Sequence, residues 1–314
     1  MNQSKKLTQG ALMIAIFMVL LFLTVFIPGV SIVSVFLLPL PFIMYASKYN
    51  WKPSLLLLAV SVVVSMIFLS IFSITFPILM GIAGILIGSS IYKNLSAYET
   101  LARGTFGFVI GLLFVFVFSQ VLLQVNLVEE FQTMANESIE LSTSIADEFG
   151  VAGEIEDFEE TFKTQINYLM NLLPVFIIIT ALLMALVSQW ISYKVINKIE
   201  KEDLHFPPFR TLRIPSSIIW IYLIALLFSF MDLDPSGTVY LVIQNVQVII
   251  SILLTIQGFS FIFFFAHHKK LSKAIPIFSI VLTVLFPLLF LNLMPIVGII
   301  DIGFKLRERL IRNK

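Results

Sequence analysis

The stretch KKLTQGALMIAIFMVLLFLTVFI, Lys5 to Ile27, decides the fold. Behind two lysines runs an uncharged, mostly apolar segment from about residue 8 to 27, enough helix to cross about 30 Å of hydrocarbon. Lipid supplies no water to pair with free N–H and C=O groups, so such a run has to be helical. It lacks a clear small-x-small cleavage site and another apolar run follows directly, so it is read as a retained span. Its first turns carry Gly10, Ala11 and Ala15, three small residues at near-helical spacing. A bare stripe of this kind lets a second backbone approach closely.

The same pattern recurs along all 314 residues, of which 59% are hydrophobic and 12% charged. Soluble domains carry about 25% charged residues, so this is a polytopic membrane protein. The fold class is all-α, a transmembrane helical bundle of about 8–10 segments. Nine candidates lie near residues 8–27, 30–47, 54–71, 74–92, 105–125, 168–193, 215–231, 238–265 and 274–300. The second is short and contains Pro39 and Pro41, which remove backbone donors and are expected to kink it. In the fourth, Gly81, Gly84 and Gly88 form a close-packing stripe.

Basic residues give the orientation. Lys5 and Lys6, Lys48 and Lys52, Lys93 and Arg103, the group from Lys194 to Arg213, and Lys269, Lys270 and Lys273 all fall on one side of the alternating spans. A cytoplasmic N-terminus in the cell (inner) membrane follows. The tail FKLRERLIRNK is also basic, and a ninth single crossing would put it outside. Two short arms forming a hairpin around LNLMP, Leu291 to Pro295, would return it to the cytoplasm.

Between the fifth and sixth spans, residues 126–166 carry eleven acidic residues from Glu129 to Glu160 against a single Lys163. Val128, Phe131, Met134, Leu141, Ile145 and Phe149 recur at helical spacing, GVAG at 150–153 interrupts, and Ile155, Phe158, Phe162 and Ile166 resume. An acidic extracytoplasmic hairpin of two amphipathic helices is expected, either a solvated cap or a lid over an outward-facing site.

Polar residues inside the spans are costly unless satisfied, which makes them candidates for function. Gln120 and Gln124 sit one turn apart, as do Asn167 and Asn171, and Gln244 and Gln247 begin the eighth span from the same outer side. Side-chain amides at similar depth suit either interhelical hydrogen bonds or a pocket for a polar, uncharged group. No Asp, Glu, Lys or Arg lies at the centre of a well-defined span, which argues against a proton relay. There is no phosphate-binding loop, no metal-ligand spacing and no nucleophile with its base, and zero cysteines exclude disulfides and thiolate metal sites. No enzyme activity, metal or cofactor is expected. The net charge of +1 gives no reason to expect nucleic acid as a partner.

The opening KKLTQGALMIAIF resembles the start of the substrate-binding S components of energy-coupling-factor transporters. In those proteins an Ala-x-x-x-Ala pair on the first helix packs on a coupling subunit, and Ala11 and Ala15 match that pair. Over its whole length the chain is similar to the YybS family of bacterial membrane proteins. That likeness is carried by PIVGIIDIGFKLR, with Pro295, Gly298, Asp301, Phe304 and Arg307, and by FPPFRTLRIP at 206–215. The implied organisation is an S-component-like front, 1–125, then the acidic insertion, 126–166, a sixth span within 167–194, and further helices with a basic tail over 195–314. The acidic insertion and extra helices depart from ordinary S components. The implied function is solute binding or transport powered by partners, which besides the lipid bilayer would include a transmembrane coupling subunit and a small-molecule ligand. The alternative is a scaffold or regulator of the cell envelope.

Overall fold

Long uncharged runs become uninterrupted helices here, while prolines and the acidic segment set the breaks. The computed structural model describes residues 3–148, 155–231, 233–234 and 237–312, and the chain divides into two units, Met1–Phe206 and Pro207–Lys314. Every regular element among the described residues is helical.

The first unit comprises α1 (Gln3–Phe26), α2 (Ser31–Ser34), α3 (Leu40–Tyr49), α4 (Trp51–Phe68), α5 (Thr75–Tyr92), α6 (Ala97–Leu122), α7 (Leu127–Glu148), α8 (Ile155–Asn171) and α9 (Leu173–Glu200). The span expected over 30–47 is not one helix. It splits into the four residues of α2 and the ten of α3. Pro39 occupies the N-cap of α3 and Pro41 its first turn, where the missing N–H would have had no helical partner anyway. The prolines therefore start a helix rather than kink one. Phe17, Leu21, Leu38, Phe42, Ile43, Met80, Ile87 and Phe108 form a dry centre, with Phe17 and Phe42 edge to face at 5.0 Å. A side chain at Gly88 would run into the Ile43 carbonyl oxygen, so the glycine stripe of α5 receives the backbone of α3.

The start of α1 is pinned to α3. The Tyr45 hydroxyl donates to the Lys6 carbonyl at 3.4 Å and the Tyr49 hydroxyl to Oε1 of Gln9. Gly10 lies against the Tyr45 ring.

The acidic segment forms two helices, α7 and α8, as its periodicity predicts. The expected break at 150–153 lies outside the described residues. Ile139 of α7 is buried, whereas Phe131, Met134, Leu141 and Ile145 are exposed.

The second unit comprises α10 (Ser217–Ser229), α11 (Thr238–His268), α12 (Ala274–Leu285), α13 (Pro287–Gly303) and α14 (Leu306–Arg312). Gly258 of α11 and Gly298 of α13 bring these two backbones together. A side chain at Gly298 would strike the Leu254 carbonyl, and one at Gly258 the Met294 carbonyl. The expected turn at LNLMP is corrected. Those residues lie inside α13, and the chain instead breaks at Phe286, which caps α12 and precedes Pro287. Proline at the first position of α13 forces this boundary, because the residue before a proline is steered away from helical geometry. Pro295 is accommodated within α13.

Among the described residues six helices are long and apolar enough to cross a membrane: α1, α4, α5 with the turn from Ile71, α6, α9 and α11. The pair α13 and α14, bent by 57°, qualifies only when taken together. The runs read as spans at 215–231 and at the start of 274–300 give helices of 13 and 12 residues, shorter than a crossing needs. Large apolar side chains such as Ile67, Phe230, Val284 and Leu288 stand exposed, which suits lipid as the surrounding solvent.

Candidate functional site

Asp301 and Arg307 flank the bend between α13 and α14, and both are buried, at 4% and 3% exposure. Two charges out of water persist only when paired and fully hydrogen-bonded. Here they are. Oδ2 of Asp301 accepts from Nε of Arg307 at 2.9 Å and from Nε2 of Gln257 at 2.6 Å, and pairs with Nη2 of Arg307 at 2.9 Å.

The rest of the guanidinium faces the segment before α10. Nη1 donates to the carbonyls of Arg210 (2.8 Å) and Leu212 (3.1 Å), and Nη2 to Oγ of Ser260 (3.1 Å). Ser260 in turn donates to the carbonyls of Phe209 and Leu212, and Oε1 of Gln257 accepts from the Ile214 N–H at 3.0 Å. The Phe264 ring lies 5.3 Å from the guanidinium carbon. Segment 209–214 is short of regular backbone pairing, having only one turn of 3₁₀ helix at Phe209–Thr211. Arg307, Ser260 and Gln257 provide partners for much of its polar backbone.

Four of the five guanidinium N–H bonds thus have acceptors within the unit, and Nη2 also lies 2.9 Å from Oδ2 of Asp301 as an ion pair. This arrangement holds a loop, with most of the Arg307 donors directed at the protein's own groups. Next to it Arg213, Ile214, Ser216, Gln257, Asp301, Lys305 and Glu308 line a cleft of about 170 Å³. Arg213 and Glu308 meet at 3.6 Å on its exposed side.

The sequence motifs that carried the family resemblance, FPPFRTLRIP and PIVGIIDIGFKLR, therefore meet from Phe209 onward. Their meeting also traces the path of the chain. Lys273 and Pro276, at the start of α12, line one groove with Arg210, and Arg307, beyond α13, holds the Arg210 carbonyl. The chain through α12 and α13 thus leaves one end of the unit and returns to it, with its reversal at Phe286.

The amides singled out in the sequence are placed differently. In the first unit Gln120 and Gln124 are exposed near the end of α6, and Asn171 is half-buried at the end of α8. Asn167 is exposed and lines, with Gln132, Asn136, Lys163 and Ile166, a polar cleft of about 340 Å³ between α7 and α8; Gln120, Gln124 and Asn171 are not among its lining residues. In the second unit Gln244 is buried with Oε1 unpartnered, and Gln247 donates from α11 to the Ala225 carbonyl of α10 at 3.1 Å. Ala11 and Ala15 are exposed on α1 beside Leu12 and Ile16, on a face distinct from the buried Gly10, Phe17 and Leu21.

Gln257 and Ser260 were not picked out from sequence. Both sit in the apolar run of α11, and their signal is the polar-small cluster QGFS at 257–260, where a polar residue, a glycine and a hydroxyl interrupt a long apolar helix.

A family described as "Predicted membrane protein (DUF2232)" matches residues 15–302. A relative from Bacillus subtilis (strain 168), the "Uncharacterized protein YybS", is 28% identical over 309 residues, covering 98% of this chain and 99% of the relative. No solved structure matches.

Proposed function

From the premise that the chain belongs to the family described as "Predicted membrane protein (DUF2232)", we propose a multi-pass subunit of the bacterial cell membrane that binds or moves a small solute with energy supplied by partner proteins. It contributes binding and docking surfaces, with no chemistry of its own. Its N-terminus and basic loops lie in the cytoplasm and its acidic helices outside, in keeping with the distribution of Lys and Arg.

One observation carries this reading. Ala11 and Ala15 form an open patch on α1, while the tyrosines of α3 fix the same end of that helix in place. A rigid small-residue surface near the membrane boundary is what a partner helix needs for close approach. It is also the feature shared with transporter S components. The solute-facing group on this reading is Asn167 of the first unit, in the polar cleft with Gln132, Asn136 and Lys163.

The test is the double variant Ala11→Leu, Ala15→Leu in the full chain, with capture of membrane partners and thermal unfolding both measured. Capture should be lost while the unfolding temperature stays put, since both positions are exposed. Capture of a coupling subunit and an ATPase by the unaltered protein would support the transport reading. Undiminished capture by the variant would reject α1 as the docking face.

A second reading, an envelope scaffold or regulator, is favoured by the exposed apolar residues Phe131, Met134, Leu141 and Ile145 on the acidic helix α7. Co-purification with envelope-assembly proteins and no retained solute would favour it.

A further inference from the structure

We infer that the second unit holds an anionic phospholipid in the groove between segment 209–210, the end of α11 and the start of α12. This groove has a volume of about 580 Å³, within the range of about 300–1,000 Å³ typical of small-molecule sites. Its walls and rim differ in chemistry. Phe209, Phe263, Ala266, Leu271, Pro276 and Ile277 give apolar walls, Arg210, Lys270 and Lys273 supply cationic groups, and His267 adds a polar ring.

No carboxylate lines the groove, and none of these four side chains forms an ion pair among the described residues. Three basic side chains lining one groove raise the local potential and call for an anion. Apolar walls would add nothing for inorganic phosphate, which is hydrated throughout. A phospholipid with a net negative headgroup satisfies both parts, with its phosphate among Arg210, Lys270 and Lys273 and the upper part of an acyl chain against Phe263, Leu271 and Ile277. Basic pockets between helices at a membrane surface suit this class of ligand.

The site is built before any ligand arrives. Ser260 and Arg307 fix the carbonyls of Phe209 and Arg210, and Phe209 packs edge to face on Phe263 at 5.5 Å. On the opposite side the Leu271 N–H returns to the Ala266 carbonyl at 2.8 Å, with Lys270 in the left-handed region at φ 54°. That cap closes α11 and turns Leu271 back toward the groove. A ligand entering there has little protein left to order, which favours binding.

The experiment titrates dioleoyl phosphatidylglycerol, and separately dioleoyl phosphatidylcholine, into the detergent-purified full chain, with bound lipid counted by native mass spectrometry. Phosphatidylglycerol should be retained in preference to phosphatidylcholine. The variant Lys270→Gln, Lys273→Gln should weaken that retention roughly thirtyfold, taking about 1 kcal/mol for each basic group near a membrane surface. The comparison variant Arg309→Gln, Arg312→Gln removes the same charge from α14, outside the groove, and should leave retention unchanged. Thermal unfolding in phosphatidylcholine should be the same for all three proteins, so that a loss of lipid cannot be mistaken for a loss of fold. Equal losses in the two variants would reduce the effect to diffuse attraction and overturn the proposal. Displacement of the lipid by free glycerol phosphate at matched concentration would overturn it as well, leaving a site for the phosphate alone.

Discussion

Nε and Nη2 of Arg307 converge on a single carboxylate oxygen of Asp301, each at 2.9 Å. Three further N–H bonds of the same guanidinium hold the Arg210 and Leu212 carbonyls and Ser260. The pair is thus the point at which the bend after α13 grips the segment before α10, and its energetics can be tested.

Asp301→Ala should destabilise the second unit by about 3–5 kcal/mol, because it strands a buried guanidinium. Asp301→Asn, which keeps an acceptor, should cost less. The double variant Asp301→Leu, Arg307→Leu should fall well short of the sum of its single changes, showing coupling between the two residues. Thermal unfolding of the full chain, with protease cleavage of segment 206–215 as a local readout, gives both quantities. Additive losses would show that the two side chains act separately.

Glycine substitutions should separate close helix contacts from ordinary ones. Gly298→Ala sets a methyl group against the Leu254 carbonyl, and a cost of about 1–3 kcal/mol or more is expected from overpacking. Gly10→Ala meets only Tyr45, its hydroxyl at 3.5 Å and its ring at 3.6 Å, ordinary contacts, and should be close to neutral. A drop in unfolding temperature for the first and none for the second is the expected pattern.

Topology can be read with single cysteines, since the chain has none of its own. Ser142→Cys, on the exposed surface of α7, should react with an impermeant reagent in intact cells. Glu202→Cys and Arg312→Cys should react only after the membrane is opened. Glu202 is preferred to Asn197, whose side chain both donates to and accepts from the Leu204 backbone at 2.8 Å. Labelling of position 312 from outside would contradict the shared side of the basic tail and the 206–215 segment.

The outer amides call for a variant that does not disturb the backbone. Gln124 has φ 53°, a conformation costly for a non-glycine residue, so a change there alters strain as well as chemistry. Asn167→Leu is cleaner, since Asn167 is exposed on the α7–α8 cleft. It should reduce retention of a co-purified polar solute, followed by native mass spectrometry, at an unchanged unfolding temperature. Unaltered retention would remove that cleft from consideration.

Much of this architecture is legible in the sequence because bilayer crossing demands long uncharged helices, and runs such as those of α6 and α11 can be little else. The breaks are harder to read. Pro39 and Pro41 removed donors exactly where a new helix begins, and only their position relative to the cap distinguishes starting from kinking. Pro287 and Pro295 look alike in sequence, yet the first opens α13 and the second lies within it. The Asp301–Arg307 pair escaped pattern reading for a different reason. Its members stand six positions apart across a 57° bend, so helical spacing gives no reason to join them.

The grip of Arg307 on the Arg210 carbonyl also orders events in time. These residues stand 97 positions apart, so at translation speeds of roughly 5–20 residues per second the loop carbonyl waits about 5–20 s for its donor. Through that interval α10, α11 and α12 are made, and Ser260 and Gln257 can hold part of segment 209–214 while the Arg210 carbonyl still lacks its donor. A ribosome halted before codon 307 releases a chain that has its long hydrophobic helices but lacks the clasp. Until Arg307 is made, the carbonyls of Arg210 and Leu212 lack this donor.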